Sequence, residues 1–163
     1  MHKKLFYPDE FYKKIEDIDL SKYKDRFKAI IIDHDNTLVK RGEKFLEEGV
    51  LNWLNEANKN FKIGIISNNK KNKLSTIEEN FKIPILKNAL KPLPFSFKKI
   101  MRILEVRNSE VILIGDQIFT DILGGNILNL YTILLEPRDK SKDFLLTKIQ
   151  RYFESYFLKK LRN

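Results

Sequence analysis

The stretch KAIIIDHDNTLV, residues 28–39, decides how this chain reads. Ala29 and three consecutive isoleucines, Ile30 to Ile32, form a short apolar run rich in β-branched side chains. Such a run suits a strand buried on both faces, as in the interior of a parallel sheet. Two carboxylates, Asp33 and Asp35, stand directly behind it. Close carboxylates repel, and burying them uncompensated is costly. A hard divalent cation with oxygen ligands resolves that cost, so the strand end is a candidate metal and phosphate site.

Outward from this stretch, strands and helices alternate. FKIGIIS (61–67), VILIGD (111–116) and YTILLE (131–136) read as further strands. IPIL (83–86) reads as a short one, placed at an edge by Pro84. Residues 42–60 place Phe45, Val50, Leu51, Leu54 and Ala57 at near-helical spacing. Residues 71–81 suit a short helix, and another begins at Thr120. Pro94 opens a helix over 94–108, with Phe97, Ile100, Met101 and Leu104 on one face. The tail from Lys142 to Arg162 reads as a last helix. This order predicts an α/β fold, a three-layer Rossmann-like and mostly parallel sheet with helices on both faces. The expected organisation is a single domain over 1–163. It divides into an N-terminal extension (1–27), a catalytic core (28–137) and a basic C-terminal helix (138–163). Ligands in such sheets gather at the carboxyl ends of the strands. Asp33, Ser67 and Asp116 end the three strongest strands and should meet on one rim.

Bulk properties set limits. A chain of 163 residues suffices for one domain with a substantial core. Cysteine is absent, which excludes disulfides and thiolate metal sites. No apolar stretch approaches the roughly 20 residues that span a bilayer. The N-terminus, MHKKLFYPDEFYKK, lacks the apolar core of a signal peptide, and a cytoplasmic location is expected. The net charge is +9, which draws a protein toward polyanions without selecting one. Gly124-Gly125 has neither P-loop nor GxGxxG spacing and reads as close backbone packing. No RRM or KH signature occurs, so nucleic acid is not an expected partner.

Four short motifs, taken in order, resemble those of the haloacid dehalogenase (HAD) superfamily. DHDNT (33–37) is similar to its DxDxT signature, and Ser67 in ISNN to its second motif. Lys91 in ALKP resembles the third motif, and Asp116 and Asp121 in GDQIFTD the acidic fourth. The SNN triplet, the Lys91-Pro92 pair and the GDQxxTD run followed by Gly125-Asn126 most resemble the YqeG-like branch of subclass IIIA phosphatases. That branch is akin to phosphatidylglycerophosphate phosphatases. His34 departs from the pattern, where the family usually carries an apolar residue, and is expected to pack or hydrogen-bond.

The resemblance implies an Mg²⁺-dependent phosphomonoesterase acting through an aspartyl-phosphate. It implies Asp33 as the nucleophile and Asp35 as the proton carrier. It implies Asp33, the backbone carbonyl of Asp35, and Asp116 as metal ligands, and Thr37, Ser67, Asn68 and Lys91 as phosphate contacts. Asp121 would support the lysine or the metal shell. Superfamily ATPases replace the second aspartate, so Asp35 favours a phosphatase.

Superfamily enzymes often insert a cap domain after the first or second motif. Here 33 residues lie between Asp33 and Ser67, and 23 between Ser67 and Lys91. Neither gap holds a cap, so an open site is expected. The implied substrate is phosphatidylglycerophosphate at the cytoplasmic membrane face. The tail pairs aromatics (Tyr152, Phe153, Tyr156, Phe157) with Lys148, Arg151, Lys159 and Lys160, a composition that suits peripheral contact with anionic phospholipid or packing on the sheet. Two alternatives stay open. One is a soluble phosphatase for a sugar phosphate or nucleotide, with a lid from a neighbouring subunit. The other is a basic RNA- or ribosome-associated protein with a vestigial acidic site. The sequence leaves the oligomeric state undetermined.

Overall fold

The computed structural model describes residues 5–40, 43, 45–70 and 81–139. The helix expected over 71–81, apart from Phe81, and the basic tail helix beyond residue 139 lie outside the described residues.

Six parallel strands form one sheet: β1 (Glu10–Tyr12), β2 (Ala29–Asp33), β3 (Lys62–Ile66), β4 (Ile85–Leu86), β5 (Val111–Gly115) and β6 (Tyr131–Leu135). Their spatial order is β1-β6-β5-β2-β3-β4. The triple-isoleucine strand is therefore central. Ile30 and Ile32 register with Ile63 and Ile65 on one side, and with Ile112 and Ile114 on the other. β4 lies at the sheet edge, where Pro84 placed it.

Side chains two apart on a strand share a face, and this periodicity builds two cores. Ile30, Ile32, Ile63 and Ile65 pack with Val50, Trp53, Leu54 and Ala57 of helix α1 (Glu48–Asn60). The offset set, Ala29, Ile31 and Ile66, packs with Phe97, Ile100, Met101 and Leu104 of helix α2 (Pro94–Leu104). α1 starts at Glu48, later than its apolar spacing suggested, so Phe45 precedes it and is exposed. The segment expected as a short helix from Thr120 is a π-helical turn (Ile118–Ile122) running into helix α3 (Leu123–Ile127). Gly124-Gly125 does serve close packing: a Cβ on Gly124 would lie 2.6 Å from the Phe97 ring.

The N-terminal segment joins the sheet as β1, and three side chains latch it. Asp9 accepts from the Thr132 backbone N–H at 2.7 Å. Asn126 donates to the Leu5 and Tyr7 carbonyls, both at 2.9 Å. Glu10 accepts from the hydroxyls of Tyr12 at 2.7 Å and Tyr23 at 2.9 Å, and also from that of Tyr131.

Candidate active site

β5, β2 and β3 are adjacent, and their carboxyl ends deliver Asp116, Asp33 and Ser67 to one rim. β2 is the point where successive connections leave in opposite directions, the crevice that open α/β sheets use for ligands. Behind Asp33 the chain turns sharply. Asn36 adopts a left-handed φ of 65°, a conformation asparagine tolerates better than most residues. Its N–H donates to the Val39 carbonyl at 2.7 Å, and the Leu38 N–H to the His34 carbonyl at 3.0 Å. This turn buries Thr37 and leaves Asp35 half-buried at the mouth.

Among the described residues, the buried centre holds three carboxylates and one ammonium. Lys91 Nζ donates to Asp33 and, at 2.6 Å, to Asp121 Oδ1. Ligand oxygens of Asp33, Asp116 and Asp121 all lie within 4.8 Å of one another. Burial, opposed by Lys91 and reinforced by Asp121 and Asp116, leaves the Asp33 carboxyl raised to about 8. Burial also favours neutral Lys91, but Asp121 and Asp33 together outweigh it and hold the ammonium above its ordinary 10.5.

One lysine cannot balance three carboxylates. Asp33 Oδ2 is buried and accepts no hydrogen bond, and the Thr37 hydroxyl is buried in the same condition. Groups so placed are costly unless a further ligand meets them. An all-oxygen set of carboxylates fits a hard divalent cation, so the residues present can hold one.

Each element positions its residue by a specific contact. Asn68 grips the Lys91 backbone from both sides, accepting from its N–H at 2.8 Å and donating to its carbonyl at 3.2 Å. Its side-chain amide thus fixes the lysine. Ser67 Oγ donates to Asp35 Oδ2 at 3.3 Å and accepts from the Asn69 N–H at 3.1 Å. Asp121 reaches the centre from the π-helical turn, where its Oδ2 accepts from the Gln117 N–H at 3.1 Å. Gly115 makes room for it, because a Cβ there would fall on the Asp121 side chain. His34 is buried, with Nδ1 3.3 Å from Asp35 Oδ1.

All the expected site residues are thus near the same rim, with two differences of arrangement. Asp121, expected as a support, is a full member of the carboxylate cluster, whereas the Asp35 side chain lies outside it and faces Ser67. Arg138 has no counterpart in the sequence reading. Its Nε donates to the Thr37 carbonyl at 3.0 Å, and its backbone N–H to that of Asn36 at 3.1 Å. Its remaining nitrogens pair with Glu16 at 2.5 Å and Glu47 at 2.9 Å. The turn carrying Asp35 and Thr37 is thereby tied to the N-terminal segment and to the start of α1. The only signal in the sequence was an arginine just past β6, indistinguishable from the chain's many other cations.

A family model described as mitochondrial PGP phosphatase matches residues 1–137. The chain belongs to this PGP phosphatase family. It is 37% identical over 164 residues to the probable phosphatase YqeG of Bacillus subtilis, spanning 99% of this chain and 95% of that one. Solved structures share the fold at lower identity. An uncharacterized protein from Listeria monocytogenes serotype 4b superposes with a TM-score of 0.57 at 20% identity, over 72% of this chain and 85% of that one. A putative HAD family hydrolase from Streptomyces avermitilis gives 0.52 at 13% identity, over 81% and 77%. Membership in the PGP phosphatase family makes the constellation around Asp33 that of a HAD-type phosphatase, with a buried acidic cluster able to hold a divalent metal. No helix among the described residues is long and apolar enough to cross a membrane.

Proposed function

We propose that the chain is an Mg²⁺-dependent phosphomonoesterase whose substrate is a lipid-borne phosphate of the phosphatidylglycerophosphate type. The observation that carries the chemistry is the buried contact of Lys91 with Asp33 and Asp121, beside Asp116 and below a half-buried Asp35.

Asp33 attacks phosphorus in line: a bond forms from its carboxylate oxygen to phosphorus, and the bond from phosphorus to the leaving alkoxide breaks. Asp35 gives its proton to that alkoxide. Water then attacks the acyl phosphate, Asp35 takes a proton from it, and inorganic phosphate leaves with Asp33 restored. Proton transfer of this kind contributes roughly 10²- to 10⁴-fold. Ser67 orients Asp35 by its hydrogen bond, and Lys91 meets phosphoryl oxygens as a point charge. Thr37 offers a buried hydroxyl beside the same group. Asp33, Asp116 and Asp121, with the Asp35 carbonyl, would hold Mg²⁺, which supplies the positive charge that lets a carboxylate approach an anionic phosphate.

The lipid-borne substrate is supported by the family description and by the short gaps between motifs, which leave no cap to enclose a small molecule. A panel of phosphatidylglycerophosphate in detergent micelles, sugar phosphates and nucleotides tests it, with Asp33→Asn as control. The expected result is metal-dependent phosphate release highest for the lipid and lost in the variant. Faster release from a sugar phosphate or nucleotide would overturn the lipid assignment, and equal release by Asp33→Asn the chemistry.

A further inference from the structure

Three large apolar side chains within four positions of the active-site lysine stand in solvent. Leu90 is 57% exposed, Leu93 53% and Phe95 59%. They bracket Lys91, which is itself buried with its amine on Asp33. Single exposed apolar residues need no explanation, but three within six positions beside a reaction centre do. The backbone adds an independent observation. Leu90 has a φ of 53°, the left-handed region that a leucine adopts only at a cost. Strain of this kind collects where a side chain is held for a purpose, and here it accompanies a leucine aimed at solvent.

The surrounding charge identifies what the face meets. Residues 81–104 contain six lysines and arginines and no acidic residue. Lys87, Lys98 and Lys99 of this stretch are exposed. A second copy of the chain would bring an equally basic face against it, and like charges oppose that pairing. An anionic bilayer satisfies both features, taking the apolar side chains below its headgroups and the lysines among them.

We infer that Leu90, Leu93 and Phe95, flanked by Lys87, Lys98 and Lys99, form a docking face that inserts into an anionic phospholipid surface and seats the open active site on it. The inference deepens the lipid-phosphate reading and rests on it for its purpose. Binding can be measured with no phosphate ester present, so the two fail separately.

The test is co-sedimentation of the full chain with phosphatidylcholine vesicles, with and without about one-third phosphatidylglycerol. It compares the wild type with a triple variant, Leu90→Asn, Leu93→Ser and Phe95→Ser. Asparagine tolerates the left-handed backbone, and the net charge is unchanged. The expected result is a preference of the wild type for the anionic vesicles, and partitioning about tenfold weaker in the variant. Hydrolysis of the soluble ester p-nitrophenyl phosphate should be retained. Equal partitioning of the two proteins, or no anionic preference in the wild type, overturns the inference. A second readout needs no loss of function. In Phe95→Trp the new indole should shift to the blue on anionic vesicles, against the already buried Trp53, the chain's one native tryptophan. An unshifted spectrum likewise overturns it.

Discussion

Lys91 shows most clearly how single residues set this site. Among the described residues it is the one ammonium in contact with Asp33 and Asp121, and all three side chains are almost fully buried. Removing one partner of a buried ion pair typically costs about 3 to 5 kcal/mol, because the remaining charge is left uncompensated. Lys91→Met should therefore destabilise the metal-free protein by about 3 kcal/mol, read from urea unfolding, and depress phosphatase activity further than it depresses stability. A variant as stable as the wild type would show that Asp33 and Asp121 do not depend on the lysine. Asp33, Asp35 and Asp116 were legible because strand ends carry a pattern: an apolar run that stops at a carboxylate. Asp121 was legible as an acid in the right motif, but its place inside the cluster was not. That place depends on a π-helical turn and on the missing side chain at Gly115, neither of which leaves a periodic signal.

Elements are positioned here by contacts between residues far apart in sequence. Arg138 meets the Thr37 carbonyl across 101 positions and Glu16 across 122. Arg138→Ala should loosen the turn that carries Asp35, lowering kcat for a soluble ester by about tenfold while KM changes little. A change confined to KM would place Arg138 in substrate binding instead. β1 depends on a comparable knot. Burial raises the pKa of Glu10, but the hydroxyls of Tyr131, Tyr12 and Tyr23, aided by Lys22, outweigh that and hold it below its ordinary 4.5. A depressed carboxyl stabilises the fold above its unfolded pKa and loses that contribution as pH falls through the folded value. Glu10→Gln should thus melt below the wild type near neutrality, and the gap should close as pH falls below about 4.5. A gap independent of pH would contradict the assignment. β1 escaped the sequence reading because EFY is short and begins on a charged residue. Its pairing with β6 is set by Asp9, Glu10 and their distant partners.

At the scale of the molecule, the alternation of strands and helices yields a six-stranded parallel sheet with its central strand ending on Asp33. That much follows from apolar periodicity, since Ile30 and Ile32 face one helical layer and Ile31 the other. Among the described residues the fold creates a cluster of three buried carboxylates with one lysine, a centre short of positive charge. A divalent cation binding there stabilises the native state by mass action, by about 2.7 kcal/mol at a hundred times its dissociation constant. Mg²⁺ should raise the melting temperature of the wild type and leave that of Asp116→Asn nearly unmoved; equal shifts in both would move the cation elsewhere. In the proposed chemistry Asp33 itself takes the phosphoryl group. The most direct measurement is mass spectrometry of the protein acid-quenched during turnover of p-nitrophenyl phosphate with Mg²⁺. One phosphoryl group is expected on the peptide containing Asp33, absent from Asp33→Asn, which should also be inactive. Undiminished hydrolysis by Asp33→Asn, with no adduct on that peptide in the wild type, would contradict it.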